Sequence, residues 1–516
     1  MPALLAARHP LQTVADCCCI EPRQVGPARV MIGIALSAVL CSDTDHKKAV
    51  RTSGLALHPT QLTNKPLRET IMSGRTSGLA GRRQLLQGAA AAGAASLLPI
   101  NSAVGQAGEA LNFIAWSAVV DQVRSHLTGF ERATNIKVNY ENHPAAQFRA
   151  TLISRIVANA PIDIMWMNDA WGPEFVEAGW IAPIDDIPEL MKYNAQTSEF
   201  CTNYMRYKGR QYGLAYYGDH MAFAYNTELL EKAGISKPPE TWSDVVSQSL
   251  QIKQKGVSEF PLLLSLAADA WLIEMFSAIG FSFGGRFVDD KGVPMMTDAR
   301  RGMVQALKWV QDAIHTHKIV SPGATTTNEI PGLRAFSSGA HAFAVLPRYR
   351  IRSINDPAQS QIAGKARIAL MPKGGNHDQH NTVGWMRFFG LRPRARANPQ
   401  RQANAVKFLD WFTGTASGDF NFQKMLILDA GVPYCLPSLD RDPKIIEFWD
   451  KWAGPGARQV VNRQAELALA KDTVTPWFGE WNEANNQALQ QAFLNRASAE
   501  AALKTSADRW NALRRA

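Results

Sequence analysis

At 516 residues the chain is long enough for two lobes with separate cores. With 46% hydrophobic residues, 19% charged residues and 14 tryptophans, its composition is that of a globular protein and excludes a disordered or collagen-like one. The formal charge of +10 does not indicate nucleic-acid binding: residues 1–107 hold 11 Lys/Arg against 5 Asp/Glu, the remainder 44 against 40, and no basic stripe interleaved with aromatics occurs there.

The chain opens on a leader. Arg82-Arg83 is followed by Gln84-Leu85-Leu86-Gln87 and an uncharged Ala-rich run at 88–99, giving a charged start, a short apolar core and a small-residue exit. This is the grammar of a signal peptide over 72–107, with Gly105-Gln106-Ala107 as cleavage site and Gly108 as first mature residue. The paired arginines resemble a twin-arginine (Tat) signal, although Gly81, Leu85 and Gln87 stand where Ser or Thr, Phe and Lys are usual. The run is shorter than the roughly 20 apolar residues that span a bilayer; the competing reading is a buried Ala-rich helix. Residues 1–71 lack sustained periodicity, hold Cys17-Cys18-Cys19, and carry at 51–56 a hexapeptide repeated at 75–80. They read as a non-native or disordered extension, with translation expected from Met72; a second apolar run at 30–41 competes as a signal core.

Beyond the leader, strand and helix patterns alternate. Residues 111–116 read as a strand, Val120, Val123, Leu127 and Phe130 recur at helical spacing, and 136–140 alternates as a strand. Phe148, Leu152, Ile153, Ile156 and Val157 mark another helical face before the apolar run 162–167, of the kind buried in a parallel sheet. This order predicts an α/β fold, in which ligands sit beyond the carboxyl ends of the strands. Two such ends read Trp116-Ser117 and Asn168-Asp169-Ala170-Trp171.

The stretch 207–244 predicts an approach loop, a buried strand at 220–225, and a helix opened by Asn226 or Thr227 and stopped at Gly234. A second helix should start at the capping box Thr241-Trp242-Ser243-Asp244, entered through Pro238-Pro239. Later patterns predict helices around 271–276, 303–315 and 403–412, strands at 341–346 and 366–371, an aromatic run at 384–389 with no element assigned, and a helical, aromatic C-terminal part. Four of the six cysteines lie in the leader. Cys201 and Cys435 lack metal-ligand spacing and are expected as two buried free thiols, with pairing in an oxidising compartment as the alternative.

Several phrases, in this order, carry a resemblance. They include Phe130-Glu131-Arg132-Ala133-Thr134-Asn135-Ile136, Ala160-Pro161-Ile162-Asp163 and Tyr212-Gly213-Leu214. Further on come Ala224-Tyr225-Asn226, Glu231-Lys232-Ala233-Gly234, Pro239-Glu240-Thr241-Trp242 and Ala405-Val406-Lys407-Phe408-Leu409. Together they resemble the extracellular solute-binding proteins of ABC importers, the sugar-type family that includes maltose-binding protein. Two departures are Leu214-Ala215, where the family often has Pro after Gly-Leu, and Asn135, where Gly is usual. The resemblance implies a two-lobed periplasmic binding protein of the type II-like class, with hinge crossings and an interlobe ligand cleft that closes on its solute. It implies lobe 1 at 108–218 and 368–412 and lobe 2 at 219–367 and 413–516, with the first crossing near Gly218. The expected partners are a small solute and the membrane permease of an importer, for a periplasmic monomer that binds no nucleic acid.

A neutral sugar presents apolar C–H faces and a rim of hydroxyls, so its site needs aromatic planes beside polar groups, shielded from water. Candidates at predicted strand ends or cleft loops are Trp116, Asp169, Trp171, Tyr217, Asp219, Trp271, Arg348, Trp385 and Trp477, with Arg387 behind them. Each tryptophan has core packing as its ordinary alternative, and each aspartate has capping. Arg348 either pairs with a carboxylate of the protein or, for an anionic solute, becomes the key contact. An enzyme is the rival class, but G-x-S-x-G, H-E-x-x-H and G-x-x-x-x-G-K-[ST] are missing, and Asp169 with Asp219 as glycosidase carboxylates has no support in spacing. His377 and His380 fall in a polar loop, and His315 and His317 point to different helix faces. No cofactor, metal or catalytic residue is expected. The sequence thus predicts a receptor for a mono- or oligosaccharide or polyol. A glycerol phosphate-like anion or an amine is the alternative, and a secreted glycoside hydrolase the remote one.

Overall fold

A computed structural model describes residues 109–515; the expectations for the extension, the Tat-like signal, Met72 and the leader cysteines lie outside the described residues. In chain order the strands are β1 (Leu111–Trp116), β2 (Val138–His143), β3 (Ile164–Asn168), β4 (Arg206–Tyr207), β5 (Arg210–Gln211) and β6 (Gly213–Asn226). They are followed by β7 (Leu262–Leu263), β8 (Phe343–Pro347), β9 (Ala366–Ala369), β10 (Thr382–Leu391) and β11 (Ala468–Leu469). One sheet runs β2-β1-β3-β10-β6-β8-β7, with β11 on β10 and β9 on β6, while β4 and β5 form a separate hairpin. β1 is parallel to β2 and β3, so Trp116, His143 and Asn168 end at one edge. β7 and β8 are likewise parallel, and their chain emerges together at Leu263 and Pro347.

β6 is the element that joins the two groups of strands. Through Gly213–His220 it pairs antiparallel with β10; from Met221 it pairs with β8, and from Phe223 also with β9. The strand predicted at 220–225 is therefore longer, and the approach loop is mostly strand. Gly213, Gly218, Asp219 and His220 interrupt the apolar pattern that a strand is read from. The first glycine is nonetheless required by the pairing: a Cβ there would lie 2.2 Å from Phe388 Cδ2 and 2.9 Å from the Phe389 carbonyl oxygen.

The punctuation after β6 is as the sequence predicts. The Asn226 carboxamide oxygen accepts from the Glu228 and Leu229 amides, opening the helix Thr227–Ala233, which stops at Gly234 with φ of 68°. At the next helix, Trp242–Gln254, the Thr241 hydroxyl accepts from Asp244 N at 3.1 Å and Asp244 Oδ2 accepts from Thr241 N at 3.0 Å. Asn135 closes the helix Val120–Thr134 in the left-handed region at φ 57°, a conformation Asn tolerates where the resembling family has Gly.

Two aromatic cores flank the sheet. Phe113 packs on Phe408 at 5.2 Å and Phe389 at 5.8 Å, Phe408 coming from the helix Pro399–Thr413. That helix is tied down where Arg401 Nη2 donates to Asp163 Oδ2 at 2.7 Å. On the other side Phe223 packs on Phe343 at 5.7 Å and on Trp242 at 6.0 Å. The C-terminal helices Phe478–Phe493 and Ala499–Arg515 lie against the helix Gly302–His315, whose Gln311 donates to the Ala492 and Ala497 carbonyls at 3.0 Å.

Candidate functional site

The carboxyl ends of β1, β3 and β8 converge where β6 crosses from one strand group to the other. There Trp116, Val119, Trp166, Tyr216, Tyr217, Tyr349 and Arg350 line a cavity of about 180 Å³. The Trp116 ring lies 5.5 Å from Trp166, so two indoles form one wall; Trp171 lies 6.1 Å from Trp166 and stacks on Phe148. Val119 turns the chain from β1 into the helix Val120–Thr134 at φ 51°, an unfavourable conformation for a β-branched side chain. Such strain persists only where the surroundings fix it, and here it falls on the cavity wall.

One balanced ionic cluster lies at the cavity, and two more tie together the strands that form it. Arg350 Nε donates to Glu329 Oε1 at 2.8 Å, and the Tyr349 hydroxyl donates to the same oxygen at 2.7 Å. Arg348 Nε donates to Asp219 Oδ1 at 2.7 Å while the Tyr349 amide donates to Oδ2 at 3.2 Å. Burial pushes the Asp219 carboxyl up from its usual range, and the Arg348 guanidinium pulls the other way. With a guanidinium at hydrogen-bond distance the ionised pair is the sound description. The largest cluster centres on Asp169, whose oxygens accept from Ala170 N, Arg387 Nη1, Lys471 Nζ and Met386 N at 2.9 to 3.2 Å. Lys471 Nζ also donates to Glu274 Oε1 at 2.9 Å, and all four of these charged side chains are nearly fully buried.

Of the residues picked from sequence, Trp116 and Tyr217 share the cavity. Trp171 supports its indole wall from behind. Asp219 and Arg348 form a buried pair behind the crossing strand, the protein-carboxylate alternative for Arg348. Asp169 has its roughly four lone-pair sites taken by protein donors and holds the β3 end against β10. Trp385 is fully buried with its indole N–H unpartnered and meets the half-buried Trp271 edge-on at 5.4 Å. Trp477 packs against Trp510 at 4.4 Å, among the C-terminal helices. Sequence reasoning missed Val119, Trp166, Tyr349, Arg350 and Glu329. Arg350 had a signal, lying two residues from Arg348 in a run that ends a strand; Val119 had none.

A second cavity, of about 390 Å³, lies where Gly218, Cys201, Cys435, His220 and Tyr434 come together, with Asp219 and Arg348 at its edge. Among the described residues no helix is long and apolar enough to cross a membrane.

Residues 109–419 match the family described as bacterial extracellular solute-binding protein. Three solved structures are similar in fold. Maltose-bound MalE3 of T. maritima has a TM-score of 0.68 at 21% identity, covering 78% of this chain and 100% of that one. An ABC transporter solute-binding protein of Agrobacterium radiobacter K84 in complex with ribitol has a TM-score of 0.65 at 16% identity, covering 79% and 99%. UgpB from Mycobacterium tuberculosis in complex with glycerophosphocholine has a TM-score of 0.65 at 17% identity, covering 78% and 98%. At these identities the likeness is one of fold. It is the two-lobed α/β architecture expected from the sequence.

Proposed function

The chain belongs to the bacterial extracellular solute-binding proteins of ABC importers, and from that premise we propose that it captures a small sugar or polyol in the aromatic cavity beside β6 and presents it to a membrane permease. The observation that carries this reading is the pairing of indole and phenol planes with cations that are already neutralised. Arg348, Arg350, Arg387 and Lys471 each have a carboxylate of the protein at hydrogen-bond distance, so among the described residues that line the cavity the one cation, Arg350, is compensated. A surplus cation would favour a phosphate or carboxylate solute, whereas a neutral polyol calls for flat apolar surface and shared hydrogen-bonding groups. The 180 Å³ cavity lies below the roughly 300–1,000 Å³ typical of drug-sized ligands, which favours a monosaccharide or short polyol over a long oligosaccharide.

Trp116, Trp166 and Tyr217 are the stacking surfaces in this reading, and Tyr349 and Arg350 supply polar contacts at the rim. The Asp169 and Asp219 clusters hold the strand ends on which those residues stand. The remaining sequence candidates, Trp171, Trp271, Trp385 and Trp477, act as packing around the frame. Ligands of the solved relatives differ in kind, maltose and ribitol on one side and glycerophosphocholine on the other, so the glycerol phosphate-like alternative is kept as the second arm of the test.

The lobe assignment follows the partner switch in β6. Lobe 1 holds β1, β2, β3, β10 and the helix Pro399–Thr413; lobe 2 holds β7, β8, β9 and the two C-terminal helices. We assign the helix Asn421–Ala430 to lobe 1 as well, a reading supported by Phe422, which packs on Phe412 at 4.7 Å and Tyr216 at 5.3 Å. The first crossing lies near Gly218. The chain is read as an exported monomer that carries its solute without transforming it, with the Tat-like segment as the export signal.

Thermal-shift titration of the purified protein against sugars, polyols and glycerophosphodiesters tests the reading. A solute at 100 times its Kd adds roughly 2.7 kcal/mol of stability. A rise in Tm with a glycerophosphodiester alone refutes the neutral-solute assignment.

A further inference from the structure

We propose that Cys201 and Cys435 are a covalent cross-linking site: they join as a disulfide over Gly218, at the point where β6 leaves one strand group for the other. This goes beyond solute capture, and rests on the family's extracellular setting only for the oxidising environment that forms the bond.

The two thiols are free and buried in the structure. They come from segments remote in sequence that are laid side by side: Ser198 N donates to the Cys435 carbonyl oxygen at 2.9 Å, just before the helix Glu199–Tyr204 that carries Cys201. Gly218 is packed so tightly beneath them that a Cβ on it would lie 2.7 Å from Cys201 Sγ and 2.7 Å from Cys435 Sγ. Both sulfurs thus sit within that distance of one point. Met386 completes the sulfur cluster, its Sδ 3.4 Å from Cys435 Sγ. A side chain at position 218 would occupy the space that the paired sulfurs need.

The chemistry needs an electron acceptor and a way in. Both cysteines line the 390 Å³ cavity, which opens a path for a small disulfide or the active-site disulfide of a thiol oxidase. One of the two cysteines loses its proton and attacks the external disulfide, forming a mixed disulfide and expelling one thiol. The other then loses its proton, attacks the first protein sulfur, and expels the second thiol. Two protein thiols and one disulfide become one protein disulfide and two thiols, so atoms and electrons balance. The bond ties the helix Glu199–Tyr204 to the segment after the helix Asn421–Ala430, bracing β6 at its crossing.

The test uses the full chain, reduced and then treated with oxidised glutathione, alkylated under denaturing conditions and mapped by peptide mass spectrometry. The expected result is a Cys201–Cys435 linked peptide as the dominant form of both residues, two hydrogen masses below the sum of the reduced peptides. Oxidised wild type should also melt above its reduced form, a difference lost in Cys201→Ser and in Cys435→Ser. Alkylation of both cysteines, or linkage of either only to glutathione or to a leader cysteine, overturns the proposal. The oxidised protein is then screened for solute binding: failure there refutes the solute reading and leaves the cross-link standing, while a solute bound by protein with two alkylated thiols does the reverse.

Discussion

The two halves of β6 are both extended strand, the first with a register irregularity at Tyr216 and the second without one, and they have opposite duties. Its second half, Met221–Asn226, is flanked on both edges by β8 and β9 and buries Met221, Ala222, Phe223 and Ala224 in an apolar core. Its first half is just as buried but carries Tyr217 to the cavity, Asp219 to Arg348, and Gly218 to a cluster of sulfurs. Burial therefore does not distinguish framework from function along this strand; the chemistry of what is buried does. Apolar burial needs no partner, whereas the buried Asp219 carboxylate of the first half is held by Arg348 and the Tyr349 amide, from a distant part of the chain.

The sharpest way to break this comparison is Asp219→Ala. It leaves the Arg348 guanidinium buried without its carboxylate, and a broken buried pair costs roughly 3–5 kcal/mol. Urea unfolding should show that loss; unchanged stability with abolished solute binding would make Asp219 a solute contact and not part of the frame. Phe223→Ala in the second half should cost a comparable amount, roughly 3–5 kcal/mol, by opening a cavity between Trp242 and Phe343. Here solute affinity of the folded fraction, read by calorimetry, should be unchanged.

A carboxylate off the strand sharpens the contrast. Asp472 accepts from the Phe287 and Val288 amides at 2.8 and 3.3 Å without a guanidinium at hydrogen-bond distance, and burial lifts its carboxyl to about 6. A carboxyl raised above its unfolded value contributes stability that is complete below the unfolded pKa and is lost as pH rises through about 6. Asp472→Asn should therefore flatten the decline in Tm between about pH 4 and pH 6, a difference worth roughly 3 kcal/mol at neutral pH. Gly218→Ala should cost about 1–3 kcal/mol by forcing a methyl against both cysteine sulfurs. Tyr217→Phe should be smallest in stability, under about 1 kcal/mol. In the solute titration it should still weaken binding by about tenfold, near 1.4 kcal/mol.

What could be read from the sequence was whatever depends on neighbours a few residues apart. Asn226, Gly234 and the Thr241–Asp244 box announce their helix ends because a cap is satisfied within its own turn. The α/β order and the aromatic strand ends followed from periodicity in the same way. The length of β6 was obscured because its glycines answer to Phe388 and the cysteines, not to their own neighbours. The Asp169 cluster draws on Glu274, Arg387 and Lys471 from three distant segments, so Asp169 was legible as a strand-end carboxylate while the donors that occupy its oxygens were not. Val119 shows the same limit in the backbone, because nothing in a valine between alanine and valine announces a positive φ.

The indole wall has a further consequence. Trp116 and Trp166 stand 5.5 Å apart at 56° to one another, with Trp171 6.1 Å from Trp166 at 72°. Chromophores this close and obliquely set share their excitation, so the near-ultraviolet circular dichroism and the emission of these rings depend on their mutual angle and on what touches Trp116. A molecule that touched Trp116 in this cavity would therefore change the optical signal of unmodified protein, without dye or label.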